Sequence, residues 1–106
     1  MAVVVLPDAQ EDLLCLQDFM LQKWGEALWL QAEDEIFEKM MAIDAGRFNG
    51  APLKELVPIG IFDFKNVLTS HHRIVYKQLN ADTYIYLVAN QKQDFQTLLM
   101  KRLFSR

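Results

Sequence analysis

His71, His72 and Arg73 stand side by side at the mouth of a stretch that alternates like a strand. Lys54, Lys65 and Lys92 are further cations that could share a sheet face with Arg73. Such a set could cut RNA, grip an anion, or only hold the fold together. Strand cleavage needs a general acid or base near the 2′-hydroxyl, with cations to offset the charge that develops. Two adjacent strand residues point to opposite faces, so the histidines cannot converge on one metal or one substrate atom. There is no second histidine pair, and the one cysteine, Cys15, lies between Leu14 and Leu16 as a small core hydrophobe. No metal site or cofactor is expected. One histidine is expected in solvent and the other against the sheet edge. Arg73 either faces a target or pairs with Asp63 or Asp94.

The tail offers a second cluster. In "MKRLFSR", Lys101, Arg102 and Arg106 surround Leu103 and Phe104, and no acid follows Asp94. That suits docking to an acidic or nucleic-acid-bound surface. It is also what a solvated helix end looks like, where the dipole favours cations. On the docking reading, removing residues 101–106 leaves the fold intact. Reversing Lys101 and Arg102 to glutamate would then spare the melting temperature.

The elements that position these residues follow from periodicity. At 106 residues, the chain is one domain (1–106) with no repeats, no linker and a core of ordinary size. "AVVVL" reads as a strand buried on both faces, and it is too short for a signal peptide or a membrane span. A reducing, cytoplasmic setting fits the lone cysteine. "PDAQEDLLCLQDFMLQKWG" is an amphipathic helix, with Asp8 and Glu11 as a capping box and Leu13, Leu16, Met20 and Trp24 on its inner face. "EALWLQAEDEIFEKMMAIDAG" is a second helix carrying Trp29, Ala32, Ile36, Met40 and Ile43 inward. Gly25 between them implies an antiparallel helical hairpin. Residues 46–60 hold three of the four glycines and two of the three prolines, so they form the long loop. "IFDFKNVLTS", "HRIVYKQL" and "TYIYLVA" are strands, the last two joined around "NAD". "DFQTLLMKRLFSR" is a short helix with Asp94 as N-cap. The order gives an α+β fold with helices on one face of a mainly antiparallel sheet: strand, helical hairpin, three-stranded antiparallel segment, C-terminal helix.

Charge is divided along the chain. Residues 1–44 hold ten acidic and two basic side chains, while residues 45–106 hold four and nine, for a net −3. The acidic total disfavours tight nonspecific or direct sequence-specific nucleic-acid binding.

This order of motifs resembles the ParE branch of the RelE/ParE toxin superfamily from bacterial toxin–antitoxin modules. The resemblance rests on Ala9, Asp12 and Leu13 at the first helix, on the basic residue before Trp24 and Gly25, and on Arg73 ahead of Tyr76. It extends to "VANQKQDF", where Asn90 stands in place of the usual histidine while Lys92 and Asp94 keep the basic and acidic characters. It implies the RelE/ParE-like fold and a toxin that binds DNA gyrase, causes growth arrest, serves plasmid stabilisation and is silenced by a cognate antitoxin. Arg73, Lys92 and Asp94 would then face the target together with the tail residues Lys101, Arg102, Phe104 and Arg106. Trp24, Trp29, Phe62 and Phe64 are expected under the antitoxin. The RelE branch instead cleaves mRNA on the ribosome. The positions that would close a RelE-type site are Asn90 and Phe95, which cannot shuttle a proton, so a non-enzymatic, ParE-type toxin is expected. A RelE-like nuclease and a binding module without toxicity are the alternatives.

Overall fold

The computed structural model describes residues 2–91 and 94–104. Lys92 and Arg106, both expected at the target surface, lie outside the described residues.

Strand β1 (Val3–Val5) leads into helix α1 (Pro7–Lys23). The helix begins at Pro7, whose fixed φ and missing N–H suit a first helical position. Leu6, not Asp8, is the N-cap, and it makes no side-chain cap, so the expected capping box does not form. Asp8 sits two residues past the cap, in the first turn, where the helix dipole favours its charge. At the other end the N–H groups of Trp24 and Gly25 both donate to the Met20 carbonyl. Gly25, at φ 93°, turns the chain into helix α2 (Glu26–Asp44). As expected, α2 buries Trp29, Ala32, Ile36, Met40 and Ile43.

The remaining elements are β2 (Ala51–Pro52), a 3-10 turn over Val57–Ile59, β3 (Lys65–Leu68), β4 (His72–Leu79), β5 (Asp82–Asn90) and α3 (Phe95–Phe104). The sheet order is β1-β5-β4-β3-β2, with β1 parallel to β5 and every other pair antiparallel. β1 is therefore an edge strand. Val4 faces solvent, against the expectation of burial on both sides. Residues 46–60 are less of a loop than their glycines and prolines imply, because they supply β2 and two fully buried leucines, Leu53 and Leu56.

The sheet separates two apolar layers. Val67, Ile74, Tyr76, Ile85 and Val88 face α1 and α2. Val75, Leu87 and Ala89 face the other way and pack with Leu53, Leu56 and Leu99. Helix α3 thus covers the face opposite the hairpin. Tyr76 is buried, and its phenol accepts a 2.7 Å hydrogen bond from the Gly50 N–H. A Cβ on Gly50 would lie 2.5 Å from the Asn66 carbonyl oxygen, so only glycine lets the chain pass here.

The β4–β5 connection pairs Leu79 with Asp82, leaving Asn80 and Ala81 as the two turn residues at φ 53° and 71°. This is the positive-φ turn that matches strand twist and favours Asn-Gly. Asparagine tolerates that region, whereas alanine is strained in it by roughly 1 kcal/mol. Ala81→Gly is therefore expected to raise stability by up to about 1 kcal/mol and the melting temperature by about 4 °C. Thermal denaturation followed by circular dichroism would read it, and a lower melting temperature would contradict the assignment.

Candidate functional site

Between the β2–β5 side of the sheet and the start of α3 lies a cleft of about 460 Å³. Lys54, Asn66, Arg73, Asn90, Gln91 and Phe95 are among the residues that line it. Arg73 forms its floor, because odd-numbered residues at this end of β4 point away from the hairpin. Its Nη1 and Nη2 each donate to Glu55 at 3.0 Å, and its Nε donates to Asn66 Oδ1 at 3.0 Å. The guanidinium carbon lies 3.8 Å from the centre of the Phe95 ring, within cation–π range. Burial is the largest single influence on the Glu55 carboxyl and raises its pKa, but the Arg73 hydrogen bonds, a backbone hydrogen bond and the charges of Arg73 and Lys54 together hold it below the usual range. The partner is Glu55 rather than Asp63 or Asp94, and the bidentate fork leaves Arg73 no donor spare on either terminal nitrogen's inner edge. Asn66 also donates from Nδ2 to the Ala51 carbonyl and so keeps β2 at the cleft wall.

The histidines part company, but neither stands free in solvent and His72 lies on the central strand, not at a sheet edge, because β4 is flanked by β5 and β3. His72 is buried at 1% exposure, and among the described residues its Nδ1 has no hydrogen-bond partner. Burial, then the neighbouring His71, lower its pKa to about 4, against a weaker pull from Glu35. His71 is half-buried, with its ring 6.3 Å from that of Trp24. Lys23 lies within 5.5 Å of the Phe19 and Trp24 rings. Glu35 accepts a 2.9 Å hydrogen bond from the Ser70 N–H, which lowers its pKa. Among the described residues no cluster of three or more histidine, cysteine or acidic side chains could hold a metal ion.

The tail residues divide. Lys101, Phe104 and Asp94 line one shallow groove of about 610 Å³ on the outer face of α3. Asp94 is the N-cap expected, accepting from the Thr97 N–H and hydroxyl. Arg102, however, is not a surface cation. Its Nη1 donates to Asp12 Oδ2 and to the Tyr86 carbonyl, both at 2.9 Å, and its Nη2 donates to Asp12 Oδ1 at 2.8 Å. Asp8 approaches its Nε at 3.7 Å. Asp12 Oδ2 also accepts from the Val88 N–H. The reason is an edge: β1 pairs with β5 only as far as Ile85, and the Asp12–Arg102 pair satisfies the strand groups beyond it. Tyr86 is the extra residue where the β4–β5 register shifts, opposite Val75 and Tyr76. Arg102 is thus a tether between α3, β5 and α1. The expectation that it faces a target is overturned.

The four expected antitoxin contacts also divide. Trp24 and Phe62 are exposed. Phe64 is half-buried, edge-on to Tyr86 at 5.0 Å. Trp29 is only 3% exposed and belongs to the core, reaching the surface only in the lining of the crevice beside Leu14 and Phe37. Cys15 is exposed and is no core residue. Missed altogether were Leu14 on α1 and Leu30, Phe37 and Met41 on α2, all large, apolar and exposed. Their signal was available, since they fall off the buried stripes of their helices.

No helix among the described residues is long and apolar enough to cross a membrane. A family model described as the ParE toxin of the type II toxin–antitoxin system, parDE, matches residues 3–95. Among solved structures, the chromosomal ParDE TA system from P. aeruginosa aligns with a TM-score of 0.68 at 15% identity, covering 85% of this chain and 95% of that one. The likeness is one of fold. A comparison with curated proteins gave no significant match.

Proposed function

The chain belongs to the ParE toxin family of type II toxin–antitoxin systems, and from that premise we propose that it arrests growth by binding DNA gyrase and is neutralised by a cognate antitoxin protein. The observation that carries the binding reading, against cleavage of RNA, is the state of Arg73. Its terminal nitrogens are taken by Glu55 and its Nε by Asn66, so the cleft's central cation is already neutralised. The described residues that line the cleft include no histidine, tyrosine or carboxylate to move a proton at a 2′-hydroxyl. On this reading the protein is not an enzyme, and it works in the cytoplasm, where gyrase meets DNA.

The target-facing surface is then the outer groove of α3, with Lys101 and Asp94 for charge and Phe104 as the aromatic anchor. Lys101→Glu combined with Phe104→Ala is expected to weaken inhibition of gyrase supercoiling by roughly 30-fold, as loss of a hot-spot aromatic does. The melting temperature should hold, because both side chains are exposed. The assay uses the purified chain with gyrase, and a parallel translation reaction in which ribosomes and mRNA are supplied. Ribosome-dependent mRNA cleavage with untouched supercoiling would establish the RelE-like alternative instead.

A further inference from the structure

A bulge in β5 gives the α3 side of the sheet an aromatic recess. Where the β4–β5 register shifts, Tyr86 and Leu87 both join the second apolar layer, Leu87 fully buried and Tyr86 half-buried beside it. Tyr86 stands edge-on to Phe64, at 88° and 5.0 Å between ring centres. Both rings line a cavity of about 430 Å³, and Phe104 of α3 supplies a third. Ile61 and Leu103 add aliphatic surface. Asp8, in the first turn of α1, brings a carboxylate to the same cavity. Arg102 lines it too, but hydrogen bonds of 2.9 and 2.8 Å to Asp12 offset its charge. Asp8 has no such match. Its side chain is 73% exposed and lies 3.7 Å from Arg102 Nε, beyond hydrogen-bond length. It caps no helix either, since Leu6 is the N-cap. The Lys77 ammonium sits 5.5 Å from the Phe64 ring centre, so that ring already draws a cation.

We propose that this recess binds a quaternary ammonium group, as carried by choline-type metabolites or by a trimethylated lysine side chain. The negative face of an aromatic ring attracts a cation, and such faces around one cation reinforce each other. Rings at 88° form a corner that a compact, rounded cation can fill. The Asp8 carboxylate sets the sign of the ligand, because it favours a cation and repels phosphate or carboxylate groups. The scarcity of acceptors sets the type. A primary ammonium brings three N–H donors, each costly to leave unpaired in a desolvated site. Beyond Asp8, the lining side chains named here offer only the Tyr86 hydroxyl, and the Tyr86 carbonyl is taken by Arg102. A quaternary ammonium has no donor to satisfy, and its methyl groups gain by burial against Ile61 and Leu103. At about 430 Å³ the cavity is of small-ligand size. The site requires neither gyrase nor an antitoxin.

The test is an amide NMR titration of the purified full chain with choline, with its neutral isostere 3,3-dimethylbutan-1-ol, and with ethanolamine, its primary-ammonium counterpart. Choline should bind saturably with a Kd of about 1 mM, well inside the ceiling for so small a ligand. The isostere and ethanolamine should each bind at least ~10-fold more weakly. Asp8→Asn removes the charge, and Phe64→Leu removes a ring while keeping apolar bulk. Each should weaken choline binding by roughly 5-fold. Phe104 is left intact, because it also lines the outer groove of α3. Asp8→Asn should move the melting temperature by less than about 4 °C, so it tests the site even where Phe64→Leu loosens the fold. A short trimethyl-lysine peptide separates the two sources. Tighter binding than choline points to a modified protein and weaker binding to a free metabolite, and either upholds the site. Equal affinity for choline and its neutral isostere would reveal a plain apolar recess and overturn the proposal. So would equal affinity for choline and ethanolamine, wild-type choline affinity in both variants, or no response to choline at about 50 mM.

Discussion

Arg102→Glu is expected to lower the melting temperature by about 12–20 °C, whereas Lys101→Glu, one residue earlier, should move it by less than about 4 °C. Arg102 is 16% exposed and Asp12 13%, so breaking their pair strands a largely buried carboxylate. The reversal adds a second carboxylate beside Asp12 and Asp8. It also removes the donor that satisfies the Tyr86 carbonyl. Removing one partner of a buried pair costs roughly 3 kcal/mol or more, far beyond the ~0–1 kcal/mol of an exposed one. Burial lowers the Arg102 pKa only weakly against the hydrogen bonds from Asp12, and the group stays charged at any accessible pH. Truncation of residues 101–106 should act like Arg102→Glu, and more strongly, because Leu103 packs on the second apolar layer. Toxicity lost on such a truncation therefore reports unfolding, not a lost target contact. Equal melting temperatures for Arg102→Glu and Lys101→Glu would show that the tether carries no weight.

A loss of about 2 kcal/mol in unfolding free energy between pH 7 and pH 4.5 is the second large effect expected, and it belongs to His72. Burial holds the ring's pKa at about 4, against 6.5 for an unperturbed histidine. The unfolded chain therefore binds a proton that the folded chain refuses anywhere between those values. Stability rises with pH where the unfolded state holds more protons, so it falls as pH drops from 6.5 towards 4. Each pH unit inside that window is worth about 1.4 kcal/mol. Glu35 and Glu55 have lowered pKa values, so their stabilisation is lost only below the unperturbed carboxylate value of 4.5. The range above pH 4.5 thus isolates the histidine. Urea denaturation of the wild-type chain and of His72→Gln at several pH values reads the effect. The variant should lose most of the slope above pH 4.5, and an unchanged slope would assign the acid sensitivity elsewhere.

Repeating patterns along the chain determined most of the skeleton. The hairpin core was legible because Trp29, Ala32, Ile36, Met40 and Ile43 recur with the helix, and hydrogen bonds between near neighbours enforce that period. The β4–β5 hairpin and the Asp94 cap were legible for the same local reason. So was the line of Leu30, Phe37 and Met41 on α2, though only the fold shows which of the two helix stripes is packed and which is exposed. What needed the tertiary structure were the pairings between distant segments. Nothing near Arg102 announces Asp12, since the two meet only because β1 stops short on β5 and leaves an edge to be closed. Arg73 could have paired with any acid nearby, and the path of the 3-10 segment selected Glu55. β2 is two residues, Ala51 and Pro52, too short to show any period; its place depends on Gly50 slipping past Tyr76. A side chain's local pattern records which face it presents, but its partner is fixed by where the rest of the chain returns, and that information lies in no single stretch of sequence.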